Sequence, residues 1–170
     1  MQAERAVSIR RLRADEWKIY RELRLRALAD SPDAFGSTLE LEEVKPDDHW
    51  KERVAFAASS ESQMLVMAEF GTERVGLALG AVPPGEPGVV HVFQMWVAPE
   101  ARGQGFATAM LDALLVWARG GKAKGVALRV TCGDTVARRL YERAGFVPCG
   151  EPEPLRSGSV ILVQPMTLAF

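Results

Sequence analysis

Val97-Ala98-Pro99-Glu100-Ala101-Arg102-Gly103-Gln104-Gly105-Phe106-Ala107 joins an apolar strand to a strongly periodic helix, and its reading decides the fold. Upstream, Val89 to Val97 is apolar on both alternating faces, with Val89, Phe93, Met95 and Val97 on one and Val90, Val92 and Trp96 on the other. A strand of that kind belongs in the middle of a covered sheet. Downstream, Ala107, Met110, Leu111, Leu114, Leu115 and Ala118 recur at helical spacing, and Gly120-Gly121 ends the run. Between them, Pro99 cannot donate to a ladder. Gly103 and Gly105 remove side chains where the helix begins and allow backbone angles that other residues resist. The first turn of a helix has unpaired N–H groups and the positive end of its dipole, so this turn forms an anion cradle suited to a pyrophosphate. Arg102 adds a fixed positive charge. The plain alternative is a tight glycine turn that merely caps a helix. No Gly-Lys-Ser/Thr follows, which excludes a P-loop, and Thr108 at the third glycine position disfavours a dinucleotide fingerprint.

Working outward, Ser8 to Leu12 reads as a first strand, and Asp15 is the expected N-cap of a helix whose stripe is Trp17, Tyr20, Leu23, Arg24, Ala27 and Leu28. Asp30-Ser31-Pro32 stops it, because the residue before proline avoids the α region. Asp33 to Glu43 reads as loop or a short helical turn. A second helix is expected from Pro46 to about Ala57. Met64 to Phe70 and Val75 to Val82 flank a Gly71-Thr72-Glu73 turn as a hairpin. After the decisive strand and helix come a strand at Val126 to Cys132, a helical stripe of Ala137, Leu140, Tyr141 and Ala144 capped by Gly145, a strand beginning at Phe146, and a last strand from Val160 to Leu168. Pro165 marks that last strand as a sheet edge or bulge. The order is β-α-α-β-β-β-α-β-α-β-β. Early hairpins with a late βαβ crossover predict an α/β fold: one mixed sheet of about six or seven strands flanked by about four helices, in a single domain over 1–170.

The composition agrees with an ordinary globular chain of 170 residues, 48% apolar and 25% charged. A net charge of −1 provides no global basic field for nucleic acid. Cys132 and Cys149, with the separated His49 and His91, show no metal-ligand spacing, so no metal is expected. Such sparse cysteine in a chain of this size points to a reducing cytoplasm. No apolar run reaches the ~18 residues of a membrane helix.

Arg102-x-x-Gly105-x-Ala107 resembles the Arg/Gln-x-x-Gly-x-Gly/Ala signature of the GNAT superfamily of N-acetyltransferases, and Met95-Trp96-Val97-Ala98-Pro99-Glu100 resembles that family's bulged strand exit. The resemblance implies acetyl-CoA as donor, bound with its coenzyme A arm along Met95, Trp96 and Val97. It implies that amides of Arg102, Gly103, Gln104, Gly105, Phe106, Ala107 and Thr108 hold the pyrophosphate. Asp134 to Phe146 resembles the second motif, Asn-x-x-Ala-x-x-Leu-Tyr-x-x-x-Gly-Phe, with Ala137, Leu140, Tyr141, Gly145 and Phe146 matching. It implies cofactor contacts from Asp134, Ala137, Arg138 and Tyr141. Asp134 departs from the family's Asn; ionised, it accepts and cannot donate, and a helix N-cap is its other reading.

The resemblance also implies that Tyr141 is the catalytic general acid at the thioester sulfur, where its plain reading is a core tyrosine. Tyrosine near ~10 and a thiol near ~8.5 make full proton transfer uphill by about 2 kcal/mol, so hydrogen-bonding the developing thiolate is part of that role. The acceptor is an amine (small amine, amino acid or peptide). Near pKa ~10.4 it is neutral in roughly one molecule per few thousand at pH 7, so its proton must leave, through water to a carboxylate or His. His91 on the central strand is a candidate base, or simply a packed histidine. Gln94 on the same strand can orient a water but cannot be a base. Leu23 to Glu40 resembles a stretch of one poorly characterised GNAT subgroup, which places the acceptor wall on the first two helices, with Phe35 and Ser37 lining it. Glu40, Glu42 and Glu43 either attract a cation or form a solvated face. Pro148 to Pro154 with Leu155-Arg156-Ser157 is expected to close the other side. Many family members are dimers, and the Val160 to Leu168 edge is where two copies of this chain would pair. The alternative to an enzyme is a catalytically weak GNAT module that binds CoA or an amine as a sensor.

Overall fold

The computed structural model describes residues 6–133 and 135–170. Eight strands form one mixed sheet: β1 (Val7–Arg11), β2 (Gln63–Phe70), β3 (Glu73–Ala81), β4 (Val89–Val97), β5 (Gly125–Thr131), β6 (Val147–Pro148), β7 (Glu153–Pro154) and β8 (Leu162–Ala169). Among the described residues five α-helices accompany it: α1 (Trp17–Asp30), α2 (Leu39–Glu43), α3 (Asp47–Ser59), α4 (Phe106–Gly120) and α5 (Thr135–Arg143). The sheet order is β1-β2-β3-β4-β5-β8-β6, with β7 also on β8. Every neighbouring pair is antiparallel except β4 with β5, the pair joined by the α4 crossover. This is the expected α/β class, with one more strand than anticipated because β6 and β7 are only two residues each.

α4 lies very close to the sheet, and two glycines on β3 explain how. A Cβ on Gly76 would stand 2.8 Å from Met110, and one on Gly80 would stand 3.1 Å from Trp117. Met110, Leu111 and Leu114 are fully buried there. α1 and α3 are in contact with each other, α1 meeting β3 and β4 and α3 meeting β2, and Tyr20, Trp50 and Val54 are buried along them. Asp15 is not the α1 cap. A 3-10 turn at Ala14–Glu16 precedes the helix, and the Glu16 carboxylate accepts the Arg13 N–H at 2.8 Å. Glu16 also binds Arg10 at 2.7 Å, and Arg10 reaches Glu69 on β2 at 3.1 Å. The paired Arg10 guanidinium holds the Glu16 carboxyl down at about 2.

Three expectations are corrected by register. First, β4 carries a bulge: Phe93 opposes Leu79 and Trp96 opposes Leu77, with Gln94 at φ 57° taking up the extra residue. Leu77 and Leu79 share one face of β3, so Phe93 and Trp96 share a face, contrary to strict alternation. Second, β4 is not covered throughout: Phe93 is 41% exposed. Third, the last strand is no edge. β5 flanks β8 on one side and β6 and β7 on the other, so pairing of two copies along Val160 to Leu168 has no free ladder to use. Pro165 sits between the β6 and β7 pairings, where its carbonyl accepts the Cys149 N–H at 2.9 Å and its missing N–H costs no strand pair.

Candidate active site

β4 is paired with β5 at Val89, Val90 and His91 and no further. Beyond His91 the strands part, and one side of Phe93 to Val97 has no strand partner among the described residues. Amides and carbonyls on such a side are open to an extended ligand, as an added strand would be. The gap opens into a cavity of about 1020 Å³. β4 contributes His91, Phe93, Gln94 and Met95; α5 contributes Tyr141.

At the far end of β4, the chain turns through Pro99–Ala101 and enters α4. Gly103 and Gly105 stand at φ 76° and 87°, the left-handed region, so the sequence signal for unusual backbone there has a physical basis. A Cβ at either would meet no atom within 4 Å, so open space lies over both. Gly105 caps α4 and its carbonyl takes the Ala109 N–H at 3.0 Å, which leaves the preceding first-turn amides without intrahelical acceptors. Phe106 is buried and meets Phe70 edge-on at 5.7 Å, anchoring the turn. Ala107 is half-buried and Thr108 exposed.

The other anticipated residues are distributed as follows. Arg102 does not lean over the glycine turn: its guanidinium binds Asp30 at the end of α1, and its Nε donates to the Val97 carbonyl at 3.0 Å. Trp96 is buried, and its Nε1 donates to the same Asp30 at 2.9 Å, turning the ring toward α1. The Trp96, Ser31 and Arg102 donors together lower the Asp30 pKa. Gln104 is exposed and reaches the Glu100 carbonyl at 3.3 Å. On α5, Arg138 pairs with Glu142 at 2.8 Å, and Ala137 is half-buried. Tyr141 is buried against Phe146, ring centroids 5.9 Å apart, while lining the cavity. Asp134 lies outside the described residues. His91 also lines the cavity; its Nε2 is 2.7 Å from Glu86 and its ring stacks on Phe93.

On the opposite wall, Phe35 and Ser37 line the cavity as anticipated. The acidic cluster does not: Glu40 and Glu43 are exposed, and Glu42 is buried with Ser37 donating to it at 2.8 Å. What faces the cavity there is basic, Arg24 and Arg53, which the sequence reading did not assign to the site. The available signal was Arg24 sitting within an otherwise largely apolar helical stripe. Cys149, Glu153 and Leu155 line the far side, and Arg156 donates to the Phe35 carbonyl at 2.7 Å, tying that loop to the wall. Among the described residues, no group of His, Cys, Asp and Glu could hold a metal ion, and no helix is long and apolar enough to cross a membrane.

A mixed sheet split beside a glycine-opened helix start, with a tyrosine across the gap, is the candidate site. The profile of the Acetyltransferase (GNAT) family matches residues 13–146, and the chain belongs to that family, whose donor is acetyl-CoA. An L-2,4-diaminobutyric acid acetyltransferase from Methylotuvimicrobium alcaliphilum is 43% identical over 58 residues, a match that spans about a third of each chain (34% of both). The GNAT-family acetyltransferase of Streptococcus pneumoniae superposes with TM-score 0.82 at 16% identity, over 97% of this chain and 99% of that one. yncA from Salmonella typhimurium, solved with its cofactor acetyl-CoA, gives 0.79 at 16% identity over 96% and 94%.

Proposed function

We propose that this chain moves the acetyl group of acetyl-CoA directly to the primary amine of a small acceptor held in the α1-side cavity. The observation that carries the reading is the parting of β4 from β5 immediately before a helix start opened by Gly103 and Gly105. The chain fits the donor. First-turn amides from Gly105 to Thr108 would hold the pyrophosphate, in space that a side chain at either glycine would enter. The unpaired side of β4 at Met95 and the Val97 N–H would hold the pantetheine arm, the Val97 carbonyl being taken by Arg102. Trp96 and Arg102 support this edge from behind through Asp30.

When bound, acetyl-CoA supplies a thioester whose carbonyl carbon is open to a neutral amine. A nitrogen–carbon bond forms, the carbon–sulfur bond breaks, and the amine loses a proton. Tyr141 gives a hydrogen bond, and in part its proton, to the departing sulfur. The His91–Glu86 pair lines the same cavity, which supports it as the group that would take the amine's proton through water. Tyr141 is buried against Phe146, which fixes its ring at the cavity wall where its hydrogen bond to the sulfur would form.

Calorimetric titration with acetyl-CoA, with ATP as control, tests the donor half. Micromolar binding of acetyl-CoA without ATP binding is expected. A folded protein that binds neither removes the reading.

A further inference from the structure

Arg24 is a buried cation with no hydrogen-bond partner among the described residues. It projects from the inner face of α1, is 5% exposed, and lines the cavity. Its Nε and Nη1 are buried and make no hydrogen bond. The guanidinium stands over Phe35, 5.0 Å from the ring centroid, so the ring occupies one face and the donor edge is not used. Desolvation is the main influence lowering its pKa; Arg53 lowers it further, while Tyr20 and Glu42 oppose. Arg53 lines the same cavity. The carboxylate beside it is Glu42, whose Oε2 stands 3.7 Å away without a hydrogen bond while its Oε1 accepts from Ser37. Two arginines therefore share the α1 wall of the cavity, and that carboxylate does not itself line it. A buried, unpaired charge is costly, and a planar fork of donors left open is shaped for a carboxylate.

Resting on the acetyltransferase reading, we propose that Arg24, assisted by Arg53, binds a carboxylate of the acceptor, so that the acceptor is an amino-acid-type amine and not a polyamine. The anion is not a donor phosphate, because Arg102 to Thr108 do not line this cavity. A polyamine would bring ammonium groups against Arg24 and Arg53. An amino acid brings one anion to α1 and an amine toward the β4–β5 gap, where Glu86 and Glu153 also line the wall.

The test measures thiol release from acetyl-CoA with matched acceptors that differ by one carboxylate: 2,4-diaminobutyrate against 1,3-diaminopropane, ornithine against putrescine, lysine against cadaverine. The wild-type chain is expected to favour a carboxylate member in kcat/KM by about tenfold to a hundredfold, the size of a charge-assisted hydrogen bond. Arg24→Met is expected to erase that preference mainly through KM, raising it for the carboxylate member and lowering it for the diamine, which loses a repelling charge, and Arg24→Lys to recover part of the preference. Because Met replaces an unpaired buried charge, Arg24→Met is also expected to melt higher than wild type. Equal or better use of the diamines, or equal loss on both members in Arg24→Met, overturns the carboxylate pocket. So does a lower melting temperature, which makes Arg24 a structural residue. Absence of thiol release with every amine overturns the acetyltransferase reading along with it, whereas indiscriminate acetylation overturns the pocket alone.

Discussion

At the α4 end of the cleft, Gly103, Gly105 and the first-turn amides offer main chain to a ligand; at the α1 end, Arg24, Arg53, Phe35 and Ser37 offer side chains. The two ends also differ in how they are held. The α4 end rests on close apolar packing through Gly76 and Gly80, and the α1 helix is pinned at its start by the Arg10–Glu16–Glu69 charges. A main-chain site needs particular backbone angles, and those leave glycines at fixed places. A side-chain site needs only that some residue reach the right point, which many sequences satisfy. The donor is common to a whole family and the acceptor is not, and the division of labour follows that difference.

The sharpest break of this comparison is Tyr141→Phe. Removing the hydroxyl is expected to lower turnover by about 10²- to 10⁴-fold with acetyl-CoA affinity retained, read by thiol release and calorimetry. Unchanged turnover would take Tyr141 out of the chemistry. Next comes Gly105→Val. A branched side chain at φ 87° brings strain of about 1–3 kcal/mol and fills the cradle, so acetyl-CoA affinity should fall at least ~10-fold in a folded protein. Retained affinity would mean that the main-chain end is not where the donor binds.

Acid separates the two ends by their supports. Glu16, ordinarily near 4.5, is held at about 2, so the stability it contributes is complete above about pH 4.5 and is lost as pH falls toward about 2. The amount is on the order of 3 kcal/mol. Glu16→Gln should be less stable at neutral pH and should flatten that acid limb in denaturant titrations; an unchanged limb would show that the Arg10 clamp contributes nothing. The smallest effect is expected from Gly80→Ala, whose Cβ would meet Trp117 and Leu114 side chains at 3.1 and 3.2 Å. These can yield by a few tenths of an ångström, so a cost of ~1 kcal/mol in urea is expected, with donor affinity changing more than acceptor KM.

How much was legible follows the same division. The strand–turn–helix at Val97 to Ala107 and the element order could be read, because periodicity and glycine placement are local signals. The β4 bulge could not: it falls on Gln94, a residue with no marked preference for positive φ, and depends on how β3 sits beside it. The Val160 to Leu168 edge was misjudged because two-residue strands such as β6 and β7 carry no period, yet they cover β8. Of the acidic cluster, Glu40 and Glu43 lie on the solvated face that was one of its two readings, while Glu42 folds inward to Ser37 and the cavity wall there is lined by Arg24 and Arg53, which charge pattern alone does not reveal. Arg102 was read as a phosphate contact from its motif, and its tie to Asp30 depends on the end of a helix 72 residues away.

The parting of β4 from β5 divides the sheet into two plates. One holds β1 to β4; the other holds β5 to β8. Three residue pairs hinge them, with α4 bridging above, and Thr131 to Asp33 and Arg156 to Phe35 latching the α1 side. A molecule built this way is expected to open first along that seam. Amides of Phe93 to Val97 on the open side should exchange with deuterated solvent sooner than those inside β2, and slow once the donor lies in the gap. A donor arm lying there would serve as the missing rung of the ladder, and the stiffness of the whole sheet would record whether the gap is filled.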